Sequence, residues 1–79
     1  MPRYFFDTRD ESYFLSDDEG CDFPDLGAVK TEAARALAEL ARDVIPGHLQ
    51  RRLAVEVRDE YGPVMVAVLT FEALVLRPA

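Results

Sequence analysis

The chain has few of the residues from which metal centres, disulfides and nucleic-acid interfaces are built. It has one cysteine, Cys21, and one histidine, His48, so it can form no internal disulfide and falls short of a four-ligand zinc site. It has four glycines and no glycine-rich phosphate loop. Nine basic against fifteen acidic residues give a net charge of −6, which opposes binding to a phosphate backbone. We expect no cofactor and no nucleic-acid ligand.

Long apolar runs are also missing. No segment approaches the ~18 apolar residues of a membrane span, and the apolar stretch that begins the chain is too short for a signal peptide. The low cysteine content suits a reducing compartment. We therefore expect residues 1–79 to form one domain of a complete cytoplasmic protein, without membrane contact.

Short strands and acidic turns are predicted in the first third of the chain. Arg3–Thr8 is rich in aromatic residues, which favour a pleated sheet, and is predicted to be the first strand. Tyr13–Ser16 is predicted to be a second strand, and Cys21–Phe23 is a candidate for a third short strand that continues the sheet. Gly20 can take the positive φ that a tight turn needs.

An amphipathic helix is predicted between Asp25 and Ile45. Asp25 is a good N-cap, because its carboxylate can accept a hydrogen bond from a free backbone N–H. Apolar residues then recur at spacings of three and four, namely Leu26, Val29, Ala33, Leu37, Leu40 and Val44. Pro46 and Gly47 end the helix.

Two longer strands complete the predicted fold. Arg52–Asp59 alternates apolar with polar residues, and Val64–Leu76 has the composition of a long last strand. The short turn between them predicts an antiparallel hairpin. The order ββ(β)αββ indicates an α+β domain, with a small antiparallel sheet of four to five strands and one long helix packed on one face.

The last strand begins with six apolar residues, Val64–Leu69, whereas a strand with one wet face should alternate. The expected register places three cross-strand pairs under the helix, namely Val57–Met65, Val55–Ala67 and Leu53–Leu69. Arg58 would then lie opposite Val64 on the other face. A bulge would reverse part of this phase.

The face opposite the helix is expected to carry an apolar patch. Its members are Phe5, Ala54, Val64, Val66 and Val68. One helix cannot cover both faces of the sheet, and contiguous exposed patches are uncommon on monomers. We therefore expect a self-association face and a homo-oligomer, with a dimer favoured. The alternative is that the valines serve strand propensity and stay exposed.

No constellation of residues indicates catalysis, and we expect no enzymatic activity. His48 has no nearby nucleophile and is expected to be a solvated loop residue. Cys21 has acidic neighbours, which disfavour a thiolate, and is expected to be a partly buried strand residue. The acidic turn is the remaining metal candidate, formed by Asp17, Asp18 and Glu19. Its spacing fails the pattern of a calcium loop, and a polar turn followed by a helix cap also explains it.

Three segments stand out as a set. They are the opening M-P-R-Y-F-F-D, the central D-E-G-C-D-F-P-D-L followed by an Ala-rich helix, and V-E-V-R-D-E-Y-G-P-V near the end. Together they resemble a family of short, uncharacterised bacterial proteins, and the resemblance spans nearly the whole chain. It implies a bacterial domain of unknown function and brings no catalytic residues with it.

The element order is also similar to that of the N-terminal domain of HicB-type antitoxins, with Tyr13–Leu26 in the corresponding region. That similarity implies an acidic protein that neutralises a small basic partner. Three functions therefore stay open: a non-catalytic homo-oligomeric interaction module, an acidic partner of a basic protein, and a small-molecule or metal site formed at an oligomer interface from His48 or the acidic turn.

Overall fold

The computed structural model describes residues 2–11 and 13–78. Over these residues the chain forms β1 (Arg3–Asp10), β2 (Tyr13–Leu15), β3 (Cys21–Asp22), α1 (Leu26–Val44), β4 (Gln50–Asp59) and β5 (Gly62–Glu72). The predicted α+β class and element order are confirmed, with the third short strand present. No helix in this part of the chain has the length and apolar character of a membrane span.

The strands form one antiparallel sheet in the order β2-β1-β4-β5, with β3 also paired to β1. β4 pairs with β1 from Phe5 to Asp10. On the other side of β1, β2 pairs with Thr8–Asp10 and β3 with Arg3–Tyr4. The two edges of the sheet are therefore β5 on one side and the interrupted pair β2 and β3 on the other.

The predicted cap and apolar stripe position α1 on the sheet. Asp25 is the N-cap, and its Oδ1 accepts a hydrogen bond from the N–H of Ala28 at 2.9 Å. The helix buries Val29, Ala33 and Leu37, and it lies over β4 and β5. An aliphatic stripe on a pleated surface is the usual way in which a single helix covers one sheet face.

The core is one cluster between α1 and the middle of the sheet. Its buried members are Tyr4, Val29, Ala33, Leu37, Leu53, Val55 and Val57. The three predicted pairs between β4 and β5 are confirmed. The β5 partners in those pairs, Met65, Ala67 and Leu69, are only half-buried, whereas the β4 partners are buried. The core is thus closed over β4 and incompletely covered along β5.

A bulge overturns one predicted pair. The register shifts between Val57 and Arg58, and Arg58 pairs with Pro63 instead of Val64. The additional residue changes the phase of the strand, as bulges do. Val64 consequently packs against the core cluster and not on the outer face.

Several strand ends also differ from the prediction, most of all the end of β5. β4 begins at Gln50, two residues before the expected start at Arg52, and β5 ends at Glu72 instead of Leu76. The last bond of this pairing is donated by the N–H of Ala73 to the carbonyl oxygen of Leu49 at 2.7 Å. Before Leu49 the chain forms the loop that follows α1, so no strand among the described residues lies beside the apolar residues 74–76.

Candidate functional site

A buried carboxylate lies on the sheet face opposite α1. Asp7, on β1, is 5% exposed. Arg58, on the neighbouring strand β4, donates from Nε to Asp7 Oδ2 at 2.9 Å. The backbone N–H of Asp17 donates to Asp7 Oδ1 at 2.8 Å, and Arg58 Nη2 donates to the carbonyl oxygen of Asp17 at 2.9 Å. This network of Asp7, Asp17 and Arg58 fastens the loop after β2 to the sheet.

The side chain of Asp17 replaces a strand partner where the edge is interrupted. Its Oδ2 accepts from the N–H of Phe6 at 3.0 Å, and its Oδ1 accepts from the N–H groups of Glu19 and Gly20 at 3.1 Å each. A backbone N–H inside a sheet needs a partner, and here a carboxylate supplies it. The described residues contain no group of three or more His, Cys, Asp or Glu side chains arranged to hold a metal ion.

Phe5 is held between Arg58 and Gly20. The guanidinium carbon of Arg58 lies 4.6 Å from the centroid of the Phe5 ring. Gly20 has φ +73°, and a Cβ added there would lie 2.8 Å from Phe5 Cε1. The turn and the close approach of the ring both require glycine at this position. Phe5 is therefore part of a packed structural contact and not a free apolar surface.

The pKa values of Asp7 and Asp17 lie below their ordinary range. Burial raises the pKa of Asp7, but the hydrogen bond from Arg58, the backbone bond from Asp17 and the charge of Arg58 together outweigh it. Burial also raises the pKa of Asp17, and the backbone bonds from Phe6, Gly20 and Glu19 outweigh it in the same way. Both carboxylates are therefore held ionised in the folded state.

We expect the folded protein to lose stability as the pH falls below about 4. Because both carboxyl pKa values are lower in the folded state, the unfolded chain binds more protons in this range and stability rises with pH. The contribution is complete above the unfolded pKa and is lost as the pH falls through the folded values. Urea unfolding midpoints at a series of pH values above and below about 4 would measure this loss of stability. The Asp7→Asn variant should show a weaker dependence, and an unchanged dependence would contradict the assignment.

A second set of charges covers the same face one step along the strands. Arg9 Nε donates to Glu56 Oε2 at 2.8 Å, and the guanidinium carbon of Arg9 lies 4.5 Å from the centroid of the Phe14 ring. Ala54, which pairs with Arg9 on one side and Val68 on the other, is buried. The surface over β1 and β4 thus consists largely of paired charges.

The five residues of the predicted self-association face lie in different surroundings. Phe5 packs under Arg58, Ala54 is buried, and Val64 contacts the core. Val66 and Val68 are 55% and 47% exposed. The association itself stays a prediction. Of the five residues of the predicted face, the two valines on the edge strand β5 are the exposed apolar ones.

The other residues considered from the sequence lie apart from these valines. His48 is exposed in the loop after α1, as expected, and its Nδ1 lies 2.9 Å from the carbonyl oxygen of Val44. Cys21 is exposed, so the expectation of partial burial was wrong. The reason is that β3 is an edge strand of two residues whose described partner is β1 alone.

The two edges of the sheet are built differently. The edge opposite β5 consists of strands of three and two residues, separated by an acidic loop. Short, charged and interrupted edges resist the addition of another strand. β5 has eleven residues, and none of those from Val64 to Phe71 is charged. In the described chain, β4 is the one strand that pairs with β5.

The outer side of β5 carries hydrogen-bonding groups that are not used by β4. In an antiparallel pair, the N–H and C=O groups of successive residues alternate between the two sides of a strand. The N–H of Ala73 points towards β4, because it bonds to Leu49. The alternation therefore directs the backbone groups of Val66, Val68 and Thr70 outward. They form a template for a further strand.

A shallow groove of about 400 Å³ runs between α1 and this edge. Its strand side is Met65–Leu69, and its helix side includes Lys30, Ala34 and Ala38. Ala34 and Ala38 are exposed. Because alanine side chains are small, they allow another helix or strand to approach α1 closely.

Sequence reasoning missed the network of Asp7, Asp17 and Arg58, although a signal for part of it was present. Alternation along β1 sets Asp7 on the face opposite Tyr4 and Phe6, between the aromatic Phe5 and Arg9. The partner Arg58 is 51 residues away in sequence, so only the pairing of β1 with β4 brings the two together.

Comparison with known proteins confirms the resemblance that the three sequence segments indicate, to a family of uncharacterised function. The family described as a domain of unknown function (DUF6894) matches residues 3–71. No curated protein and no solved structure matches the chain significantly. Residues from all three segments, including Phe5, Gly20 and Arg58, meet around the buried carboxylate. The match covers most of the chain, and the protein therefore belongs to the DUF6894 family.

Proposed function

We propose that this protein is a non-catalytic interaction module that self-associates through the edge of β5. The observation that carries the proposal is the long uncharged edge between Val64 and Phe71, set against an opposite edge that is short and interrupted. Natural sheets protect long edges with charges, bulges or covering elements. β5 has a bulge near Pro63 and a charge at Glu72, and the residues between them carry neither a charge nor a second bulge.

A second copy of the chain is the partner that best suits this edge. The two strands would each supply outward N–H and C=O groups, so both ladders would be satisfied at once. The absence of charge from Val64 to Phe71 lets two chains of net charge −6 meet without direct repulsion at the contact. The incompletely covered residues Met65, Ala67 and Leu69 would also gain cover. A bacterial, cytoplasmic setting belongs to the same proposal.

The first test is the molar mass of the purified protein in solution, measured by light scattering behind a sizing column over a dilution series. The expected result is twice the mass of the chain, falling towards one chain only at high dilution. A monomer at every concentration would contradict self-association and would favour the acidic alternative, in which a basic protein is the partner.

Val68→Pro is expected to weaken the dimer by about a hundredfold while the chain stays folded. Proline removes an outward N–H and leaves the bonds between β4 and β5 in place, since the backbone of residue 68 points away from β4. The matched control is Val68→Thr, which keeps the N–H and the β-branched shape and should leave the mass unchanged. Circular dichroism checks folding. A Val68→Pro protein with the wild-type dimer mass would place the contact elsewhere.

A further inference from the structure

We infer that the association is a symmetric antiparallel pairing of β5 with β5 centred on Ala67, which joins two copies into one continuous sheet with their α1 helices side by side. This inference rests on the proposed function, because it specifies the register and the second contact of the same edge. Three independent features of the structure point to residue 67.

The first feature is the extent of the strand. β5 runs from Gly62 to Glu72, and its midpoint is Ala67. An antiparallel pair of identical strands overlaps along its full length only when the two-fold axis passes through the midpoint. An axis at any other residue leaves the ends of both strands without partners, and each lost pair forfeits hydrogen bonds and side-chain contacts.

The second feature is the position of the exposed valines. With the axis at Ala67, Val66 of one copy lies directly opposite Val68 of the other, and the outward backbone groups of both residues bond across the junction. Four valines then form one cluster on the sheet face opposite α1. In the monomer, Val66 and Val68 are 55% and 47% exposed. Directly opposed side chains on one face of an antiparallel pair lie close enough to contact each other.

The third feature is the groove beside α1. Its strand side, Met65–Leu69, has Ala67 at its centre, and its helix side carries Ala34 and Ala38. α1 lies over β4 and β5, and neighbouring strands are ~4.8 Å apart, so the two helices would be separated by about 10 Å across the junction. That separation is within the range of packed helices, and alanines at the contact allow it.

Disulfide trapping would read the register directly. In a Cys21→Ser background, single cysteines are placed at residues 65 to 69 and the rate of covalent dimer formation is measured under mild oxidation. Ala67→Cys is expected to react fastest, because its Cα would lie ~4.5 Å from its own symmetry mate, within disulfide range. Met65→Cys and Leu69→Cys should each react roughly tenfold more slowly, since each lies far from its own mate.

A double variant provides the matched control. Residue 65 of one copy faces residue 69 of the other in this register, so Met65→Cys combined with Leu69→Cys should crosslink well although neither single variant does. A maximum rate at 65, 66, 68 or 69 would overturn the register and leave self-association standing. A dimeric protein that crosslinks at none of these positions would also overturn the inference. A monomeric mass for the unmodified chain would overturn the proposed function as well.

Discussion

Replacing Asp7 with alanine is expected to lower the free energy of unfolding by about 3 kcal/mol. The carboxylate is 5% exposed and accepts hydrogen bonds from Arg58 and from the backbone of Asp17. Removing it would leave the N–H of Asp17 without its acceptor and the guanidinium of Arg58 without its counter-charge. Urea unfolding followed by circular dichroism would measure the loss.

Two further variants separate the network from a general effect of charge. Asp18→Ala removes an exposed carboxylate in the same loop and should change the stability by no more than about 0.5 kcal/mol. Asp7→Asn keeps the shape and one acceptor oxygen, and should lie between wild type and Asp7→Ala. Equal losses for Asp7→Ala and Asp18→Ala would show that the buried network does not stabilise the fold.

Leu53→Ala is expected to cost about 3 kcal/mol, because it empties part of the core beneath α1. Leu53 is the largest fully buried side chain of the described residues and pairs with Leu69 on β5. The total stability of a domain of this size is only ~4–12 kcal/mol, so the loss is a large share of it. Thermal and urea unfolding would both report it.

The control for this substitution is Leu49→Ala, since Leu49 is a leucine with a largely exposed side chain before β4. We expect a change within about 0.5 kcal/mol for that variant. A small loss of stability for Leu53→Ala would mean that the surrounding core side chains can move into the cavity. If the copies associate as proposed, the unfolding midpoint of every dimeric variant will also rise with protein concentration.

The helix and the central pairing could be predicted because their signals are local or periodic. Asp25 gives α1 its start, and apolar spacings of three and four give it a buried stripe. The pairs of β4 with β5 follow from a short turn between two strands. In each case the deciding residues lie within one element or in neighbouring elements, where spacing alone predicts which side chains share a face.

The features that escaped prediction depend on contacts between distant parts of the chain. The bulge opposite Val57 and Arg58 turns Val64 towards the core, and no residue of the preceding turn indicates it. The early end of β5 depends on where β4 begins, and not on the strand propensity of residues 74–76. The role of Asp7 depends on a loop ten residues later and on a strand 51 residues later.

The outer face was predicted to carry an apolar patch because the contacts of its arginines could not be read from the pairing of β4 with β5. Arg9 and Arg58 lie across the sheet from the valines of β5, and each covers an aromatic ring while it pairs with an acid. An arginine can do both at once, because the flat face of its guanidinium stacks on a ring while the N–H groups at its edge donate to a carboxylate. Which ring and which acid each arginine contacts cannot be predicted until the strand order is known.

The unequal edges of the sheet also limit how far an assembly could grow. Two copies joined through β5 would expose only their β2 and β3 sides, which are short and interrupted by the acidic loop. A pair closed around a two-fold axis has no free template left, whereas an open strand at both sides would allow a fibre. Because the β2 and β3 side resists a further strand, strand addition would stop at two copies.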